Sequence, residues 1–295
     1  MELRHLRAFV AVAEELHFGR AAKRLHIAQP PLSQQIRRLE AELGVTLLHR
    51  STRRVELAPA GQVLLARARE LLADAEATVE DTRRAARGEF GRLAIGFTGS
   101  ATYALLPSLA AALRERLPGV VLDLRGEMLT PAQVEGLADG SLDLALLRPP
   151  VEHPDLVVEV VRREPLVVAV PASHPLAQAP AIALEDLADE PFVLYPSHFR
   201  SVVHQAVAET CARHGFQPRC AVEASETSTL VSFVAAGVGV SLVPASVQRM
   251  TVAGAVYRPL ARETVEVELA VARRRAATPV VERSLEVLRD HLPAA

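Results

Sequence analysis

A chain of 295 residues, 49% hydrophobic and 23% charged, has the length and composition of a globular protein of two or three domains, which excludes a disordered or collagen-like chain. Its two cysteines, Cys211 and Cys220, are too few for a disulfide framework and have no His or Cys at metal-ligand spacing, so both read as reduced, structural thiols. The net charge of −2 conceals an asymmetry: residues 1–58 carry ten Lys or Arg against six Asp or Glu, and the rest of the chain 23 against 29. A basic head on an acidic body points to a nucleic-acid contact confined to one end.

The opening MELRHLRAF has neither the apolar core nor the cleavage pattern of a signal peptide, and a cytoplasmic protein is expected. Leu3 to Leu16 reads as a first helix with Leu3, Leu6, Phe9, Val10 and Ala13 on its inward stripe. Phe18 to Gly44, FGRAAKRLHIAQPPLSQQIRRLEAELG, reads as two short helices joined by a tight turn. The first carries Ala21, Ala22 and Leu25. The second carries Leu32, Ile36, Leu39 and Leu43, whose 4-3-4 spacing lays one apolar stripe along one face. Pro30-Pro31 is tolerated only in the first turn of a helix and so marks its start. Opposite the stripe lie Gln29, Ser33, Gln34, Arg37 and Arg38, with no carboxylate before Glu40. Such a face can hydrogen-bond base edges and neutralise phosphates, as a helix-turn-helix does when its second helix enters the major groove. A helical hairpin with a solvated outer face has the same spacing. The next segment, VTLLHRSTRRVELAP, predicts a wing hairpin that lays Arg50, Arg53 and Arg54 along phosphates, or else a solvated charge run.

From Pro59 to about Arg87 the residues favour helix throughout. Leu64, Ala68, Leu71, Ala75 and Thr78 follow a 4-3-4-3 spacing, with Leu65, Leu72 and Val79 at sevens beside them. A long seam on a small head is expected to pair with the same helix of a second subunit; packing onto its own body is the alternative. Gly88-Glu89-Phe90-Gly91 ends the helix as a hinge. The expected domains are a DNA-binding head at 1–58, a dimerisation helix at 59–87 and a ligand-binding domain at 88–295.

In that last domain strands alternate with helices. RLAIGF, VVLDLRGE and LDLALL are strands, with helices at Leu105–Leu117 and Pro131–Ala138 between them. This βαβαβ run predicts a mostly parallel, doubly wound sheet. The pattern restarts near Glu164-Pro165 with LVVAVPASHPLA. Strands follow at Phe192–Tyr195, Arg219–Glu223, Val238–Val243 and Val265–Ala272, and helices at Val202–Arg213, Leu230–Ala236 and Pro279–His291. Two α/β lobes result, lobe I about 92–162 and 267–295 and lobe II about 163–266, with a cleft between them. Thr227 to Gln248 carries no charge, but Ser232, Gly237, Gly239, Ser241 and Pro244 break it into helix, turn and strand rather than a membrane span.

The stretch FGRAAKRLHIAQPPLSQQIRRLEAELGVTLLHRSTRRVELAPAG resembles the N-terminal signature of the LysR-type transcriptional regulators: F-x-x-A-A-x-x-L, then Q-P-x-L-S-x-Q-I-x-x-L-E, then L-G-x-x-L-F-x-R and an arginine-bearing wing ending in A-G. The chain departs from it at Ala28, Leu48 and Ala58, where the family usually has Ser, Phe and Thr. LVVAVPASHPLAQ, ADEPFVLYPS and VAAGVGVSLVPASVQ resemble the effector domain of the same family, above all in its regulators of aromatic and chloroaromatic catabolism. The resemblance implies a winged helix-turn-helix, a linker helix that dimerises the chain, and a two-lobed effector domain of the type 2 periplasmic binding protein fold. It implies double-stranded operator DNA as a partner, contacted through Gln29, Pro30, Ser33, Gln34 and Arg37 and through the wing residues Arg50, Arg53 and Arg54. It further implies a homotetramer built as a dimer of dimers, contact with RNA polymerase, and activation more often than repression.

In an open α/β sheet, ligands gather where strand ends meet helix starts. Gly96-Phe97-Thr98-Gly99-Ser100 and Met128-Leu129-Thr130-Pro131 are two such junctions. Ser100 and Thr130 offer hydroxyls to a carboxylate there, although Thr130 with Gln133 also spells a capping box. Arg148, just before Pro149-Pro150, is either a counter-charge for an acidic effector or an exposed loop cation. Tyr195, Pro196, Ser197, His198 and Phe199 leave a strand of lobe II. The resemblance implies effector contacts at Ser100 and Thr130 and from the Pro196–Phe199 loop. It also singles out Arg162, whose counterpart in a benzoate-responsive member supports a second, hydrophobic effector site. No G-x-S-x-G elbow, P-loop, H-E-x-x-H or complete G-x-G-x-x-G is present, so no catalysis, cofactor or metal is expected. The expectation is a DNA-binding regulator controlled by a small organic acid, an aromatic acid or a muconate. The alternative is a cytoplasmic small-molecule binding protein or an enzyme on the same two-lobed fold.

Overall fold

The computed structural model describes residues 1–50, 54–198, 201–262 and 264–291. They form two compact units, residues 1–83 and 84–295.

In the first unit α1 (Leu3–Glu15), α2 (Phe18–Arg24) and α3 (Gln29–Leu43) close over Phe9, Val12, Ala21, Leu32, Ile36 and Leu39. The buried stripe of α1 runs through Leu6, Phe9, Val12 and Ala13. Leu3, expected on it, is 45% exposed, because it precedes the part of α1 that the other two helices cover. Leu43, expected to be buried on α3, is likewise exposed; it is the last helical residue before Gly44 turns the chain at φ 69°. Two different devices start the short helices. His17 caps α2, its Nδ1 accepting the amides of Gly19 and Arg20 at 3.0 and 3.2 Å. Ala28 has no side chain to cap α3, but Pro30 and Pro31 have no N–H to leave unpaired.

The wing consists of β1 (Leu48–Arg50) antiparallel to β2 (Val55–Leu57), with Leu48 opposite Leu57. The 28-residue α4 (Pro59–Ala86) follows. Its early Gly61 passes so close to the wing that a Cβ there would collide with the Leu47 carbonyl oxygen. Farther along, Leu71 and Val79 are 45% and 50% exposed on the single chain.

The second unit opens with β3 (Phe90–Phe97), α5 (Leu106–Arg116), β4 (Gly119–Arg125), α6 (Thr130–Asp139) and β5 (Leu144–Leu147), the βαβαβ run expected. Then come β6 (Leu156–Pro171), β7 (Pro191–Leu194), α7 (Val202–Arg213), β8 (Arg219–Glu223), α8 (Thr227–Ala235), β9 (Ser241–Pro244), β10 (Ala255–Pro259), β11 (Glu266–Arg274) and α9 (Pro279–His291). The main sheet has the order β10-β6-β11-β5-β3-β4, with β9 also on β6, and β7 pairs with β8.

Two expectations need correction. The main sheet is parallel only across β5-β3-β4; β6, β9, β10 and β11 all pair antiparallel. Parallel neighbours require a crossover, and no helix stands in the connections before β6 or before β11. Nor does the pattern restart at Glu164-Pro165. One 16-residue strand, β6, runs through that point and shares its length between the lobes, with a bulge at Val161 where the register to β11 shifts. β10 was not expected at all.

Alternation along β3 explains the layers of lobe I. Leu93 and Ile95 point to α5 and α9, packing with Leu109, Leu113 and Leu285, while Ala94 points to the other side with Leu137 and Leu142. Lobe II packs Val168, Phe192, Leu230 and Val234 into its own core. The uncharged Thr227–Gln248 stretch is α8, a turn and β9; no helix of the described residues is long and apolar enough to cross a membrane.

Candidate functional site

On α3, Gln29, Pro30, Ser33, Gln34 and Arg37 line one open concavity. Leu32, Ile36 and Leu39 on the far side are fully buried, which locks the rotation of the helix and leaves the polar face outward. Glu40 is engaged elsewhere. Its Oε1 accepts the amides of Leu47 and Leu48 at 3.0 and 3.2 Å, and its Oε2 meets Arg50 at 2.6 Å. Arg50 also lies over the Phe18 ring, 5.1 Å from its centroid. Arg50 is therefore a strut between wing and helices, whereas Arg54 projects 80% exposed and pairs with Glu56 at 3.0 Å. Arg53 lies outside the described residues.

Between the lobes, Thr98, Ser100, Leu129, Thr130 and Arg148 from lobe I meet Tyr195, Ser201, Val202 and Val203 from lobe II around a small cavity. Ser100, Thr130 and Arg148, far apart in sequence, are thus brought together. Ser100 does not sit at an α-helix start as expected: it lies in a 3-10 turn, Gly99–Tyr103, ahead of α5. Arg148 is not a loop cation. It is 3% exposed, and its Nη2 donates to Ser100 Oγ at 2.8 Å and to Glu164 at 2.6 Å. Its Nη1 donates to the Glu268 carbonyl at 3.1 Å, and Glu164 in turn accepts the Ser246 amide at 3.1 Å. Arg148 Nε has no partner among the described residues.

The capping box at Thr130 does not form. The N-cap position is Leu129, and the Thr130 hydroxyl donates to the Arg148 carbonyl at 2.8 Å while accepting the Arg148 amide at 3.2 Å. Gln133 turns back to the Met128 carbonyl instead, at 2.8 Å. The hydroxyl thus fastens the start of α6 to the end of β5.

Of the loop after β7, Pro196 is buried and outside the cavity lining, and Ser197 faces β8, its hydroxyl 2.8 Å from Glu223. His198 lines a larger, open neighbouring cavity with Glu127, Met128, Leu129, Pro131, Ala132 and Ser225. Phe199 lies outside the described residues. Arg162 is exposed on β6.

Sequence reasoning missed Thr98, Ser201 and Glu127. Ser201 was legible as the N-cap before Val202: its Oγ accepts the His204 amide at 3.3 Å, and with Val202 and Val203 it brings the first turn of α7 to the cavity wall. Tyr195 closes the wall, its hydroxyl 3.0 Å from Thr227 Oγ1; burial drives its phenol far above the usual range.

Residues 3–62 match the bacterial regulatory helix-turn-helix proteins of the lysR family, and residues 86–293 match the LysR substrate binding domain. The chain belongs to the LysR family of transcriptional regulators. It is 42% identical over 275 residues to the HTH-type transcriptional regulator AlsR of Bacillus subtilis (strain 168), covering 93% of this chain and 91% of that one. To BenM of Acinetobacter baylyi (strain ATCC 33305 / BD413 / ADP1) it is 42% identical over 262 residues, 88% of this chain and 86% of that one. Its fold is similar to full-length CbnR complexed with its target DNA, with a TM-score of 0.79 at 32% identity over 99% of each chain. This LysR regulator is a DNA-binding protein with an effector-binding domain and not an enzyme.

Proposed function

We propose that this LysR regulator binds a dyad-symmetric operator in the cytoplasm as a homodimer or a homotetramer, contacts RNA polymerase, and responds to a small organic acid such as an aromatic acid or a muconate. Gln29, Pro30, Ser33, Gln34 and Arg37 read bases in the major groove, Arg53 and Arg54 contact phosphates, and Arg50 orients the wing. Exposed Leu71 and Val79 on α4 supply the dimer seam.

The observation that carries the effector reading is the shared cavity in which Ser100, Thr130 and Arg148 face Ser201 and the first turn of α7. Donors stand on both lobes, so a carboxylate bound between them favours one lobe arrangement over another. That differential affinity is what shifts the geometry of the DNA-reading heads. A thermal-shift screen of aromatic acids and muconates on the purified protein tests it, repeated on S100A. A stabilising acid whose effect is lost in S100A supports the reading, and an unchanged effect removes Ser100 from the site.

A further inference from the structure

Glu127 stands in the turn between β4 and α6 with a φ of 54°, a left-handed backbone that an L residue adopts only at a cost. From there its side chain crosses to lobe II. Oε2 accepts the amide of Thr227 at 3.2 Å, at the start of α8, where Glu226 in the N-cap position makes no side-chain cap. The carboxylate packs so tightly on Gly99 that a Cβ at that position would collide with it. Glu127 is half-buried, and among the described residues no cation pairs with it.

Its surroundings are those of a ligand site. Glu127 lines the larger cavity, whose wall is largely apolar through Met128, Leu129, Pro131 and Ala132. Leu129 also lines the smaller polar cavity, so the two adjoin. In the polar cavity the Arg148 charge is met by Glu164, whereas the Glu127 carboxylate in the larger cavity is held by neutral donors.

We propose that Glu127 is a second polar contact of the effector cleft, accepting a hydroxyl or amino hydrogen carried by the part of the effector that enters the larger cavity. The cleft then takes hydroxy- or amino-substituted monocarboxylic acids in preference to dicarboxylates. This rests on the reading that the acid head lies at Ser100 and the first turn of α7. The apolar wall of the larger cavity packs the ring or alkyl body beside Glu127. A second carboxylate would be set against Glu127, and like charges in a half-buried site repel. A plain monoacid would leave Glu127 facing apolar atoms.

Calorimetric titration of the full chain at pH 8 tests the proposal with two matched sets: benzoate, 3- and 4-hydroxybenzoate, isophthalate and terephthalate; and butyrate, 4-hydroxybutyrate, 4-aminobutyrate and succinate. Phenol and 1,4-butanediol serve as neutral donors. In the wild type at least one hydroxy or amino acid should bind about tenfold or more tightly than its plain and dicarboxylate partners, the factor a hydrogen bond to a charged acceptor supplies. E127Q keeps the volume and the oxygen that caps α8 but removes the charge, so it should fold normally and bring the dicarboxylate to within about threefold of the hydroxy acid. A ranking unchanged in E127Q, with every acid weakened in S100A, overturns the proposal and leaves the acid head standing. Neutral donors that bind, weaken in E127Q and ignore S100A uphold Glu127 as a polar contact and overturn the acid head. No binding by any hydroxylated or amino compound overturns the proposal.

Discussion

The Arg148 guanidinium reaches Glu164 at 2.6 Å with both side chains almost wholly buried, so the cation at the floor of the cleft is neutralised within the protein. Breaking such a pair strands a charge in low dielectric. R148A and E164A should each cost about 3–5 kcal/mol of stability, while R148M combined with E164M costs much less than their sum. Urea denaturation of the three variants is the measurement, and strictly additive losses would show that the two charges do not depend on one another.

The hydroxyls beside that pair should separate by role. Thr130 spends its hydroxyl on the Arg148 backbone, so T130A should lower stability by about 1 kcal/mol and T130S restore it. Ser100 receives its hydrogen bond from Arg148 at the cavity wall and retains a proton to donate. S100A should weaken effector binding by roughly 1–3 kcal/mol yet leave effector-free operator binding intact. Titration calorimetry and melting curves on both variants distinguish the two patterns.

In the DNA-reading head, Q29A and Q34A should each cost on the order of 1–3 kcal/mol in operator affinity and relax specificity at one base position per half-site. R54A should instead reduce the salt slope of binding by about 1 and preserve operator preference. R50A should act mainly on the melting temperature, because its guanidinium holds Glu40 and covers Phe18. Fluorescence anisotropy across a salt series on operator and random duplexes checks all four.

The α4 seam makes a separate prediction. L71E combined with V79E places carboxylates on two side chains left half-exposed on the single chain. The variant should remain folded and sediment as a monomer that no longer holds a two-half-site operator. Sedimentation showing an unchanged dimer would place the seam against some other surface.

Glu127 predicts a pH dependence. Burial raises its carboxyl above the usual carboxylate range; the Thr227 amide opposes this and the nearby Glu226 charge adds to it, with Tyr103 and Tyr195 beside it uncharged in this range. A raised folded-state pKa means the folded protein favours the protonated form, so the stability it contributes is present in acid and lost as pH rises through that pKa. E127Q cannot ionise. Its melting temperature should therefore gain on the wild type as pH goes from about 5 to 8, and a constant gap would show that the carboxyl titrates normally.

What sequence alone determined was what depends on near neighbours along the chain. The 4-3 spacing of Leu32, Ile36 and Leu39 was enough to turn Gln29, Ser33, Gln34 and Arg37 to one face, because helical rotation is set by residues three and four apart. Helices α7 and α9 lie where the pattern predicts them, at Val202–Arg213 and Pro279–His291, and the three strands of the βαβαβ run are where their apolar stretches stand. Tertiary structure decided the rest. Leu3 and Leu43 fit their stripes and are exposed nonetheless, since burial depends on where the covering helices end. The direction of β6 and β11 follows from which strands they reach across the sheet, and apolar runs carry no direction. Glu164 meets Arg148, and Glu127 meets the amide of Thr227 a hundred positions later, because sheet register and the approach of two lobes bring them within bonding distance. Coulombic and hydrogen-bonding partners are chosen by distance in space, and no periodicity in one dimension encodes that distance.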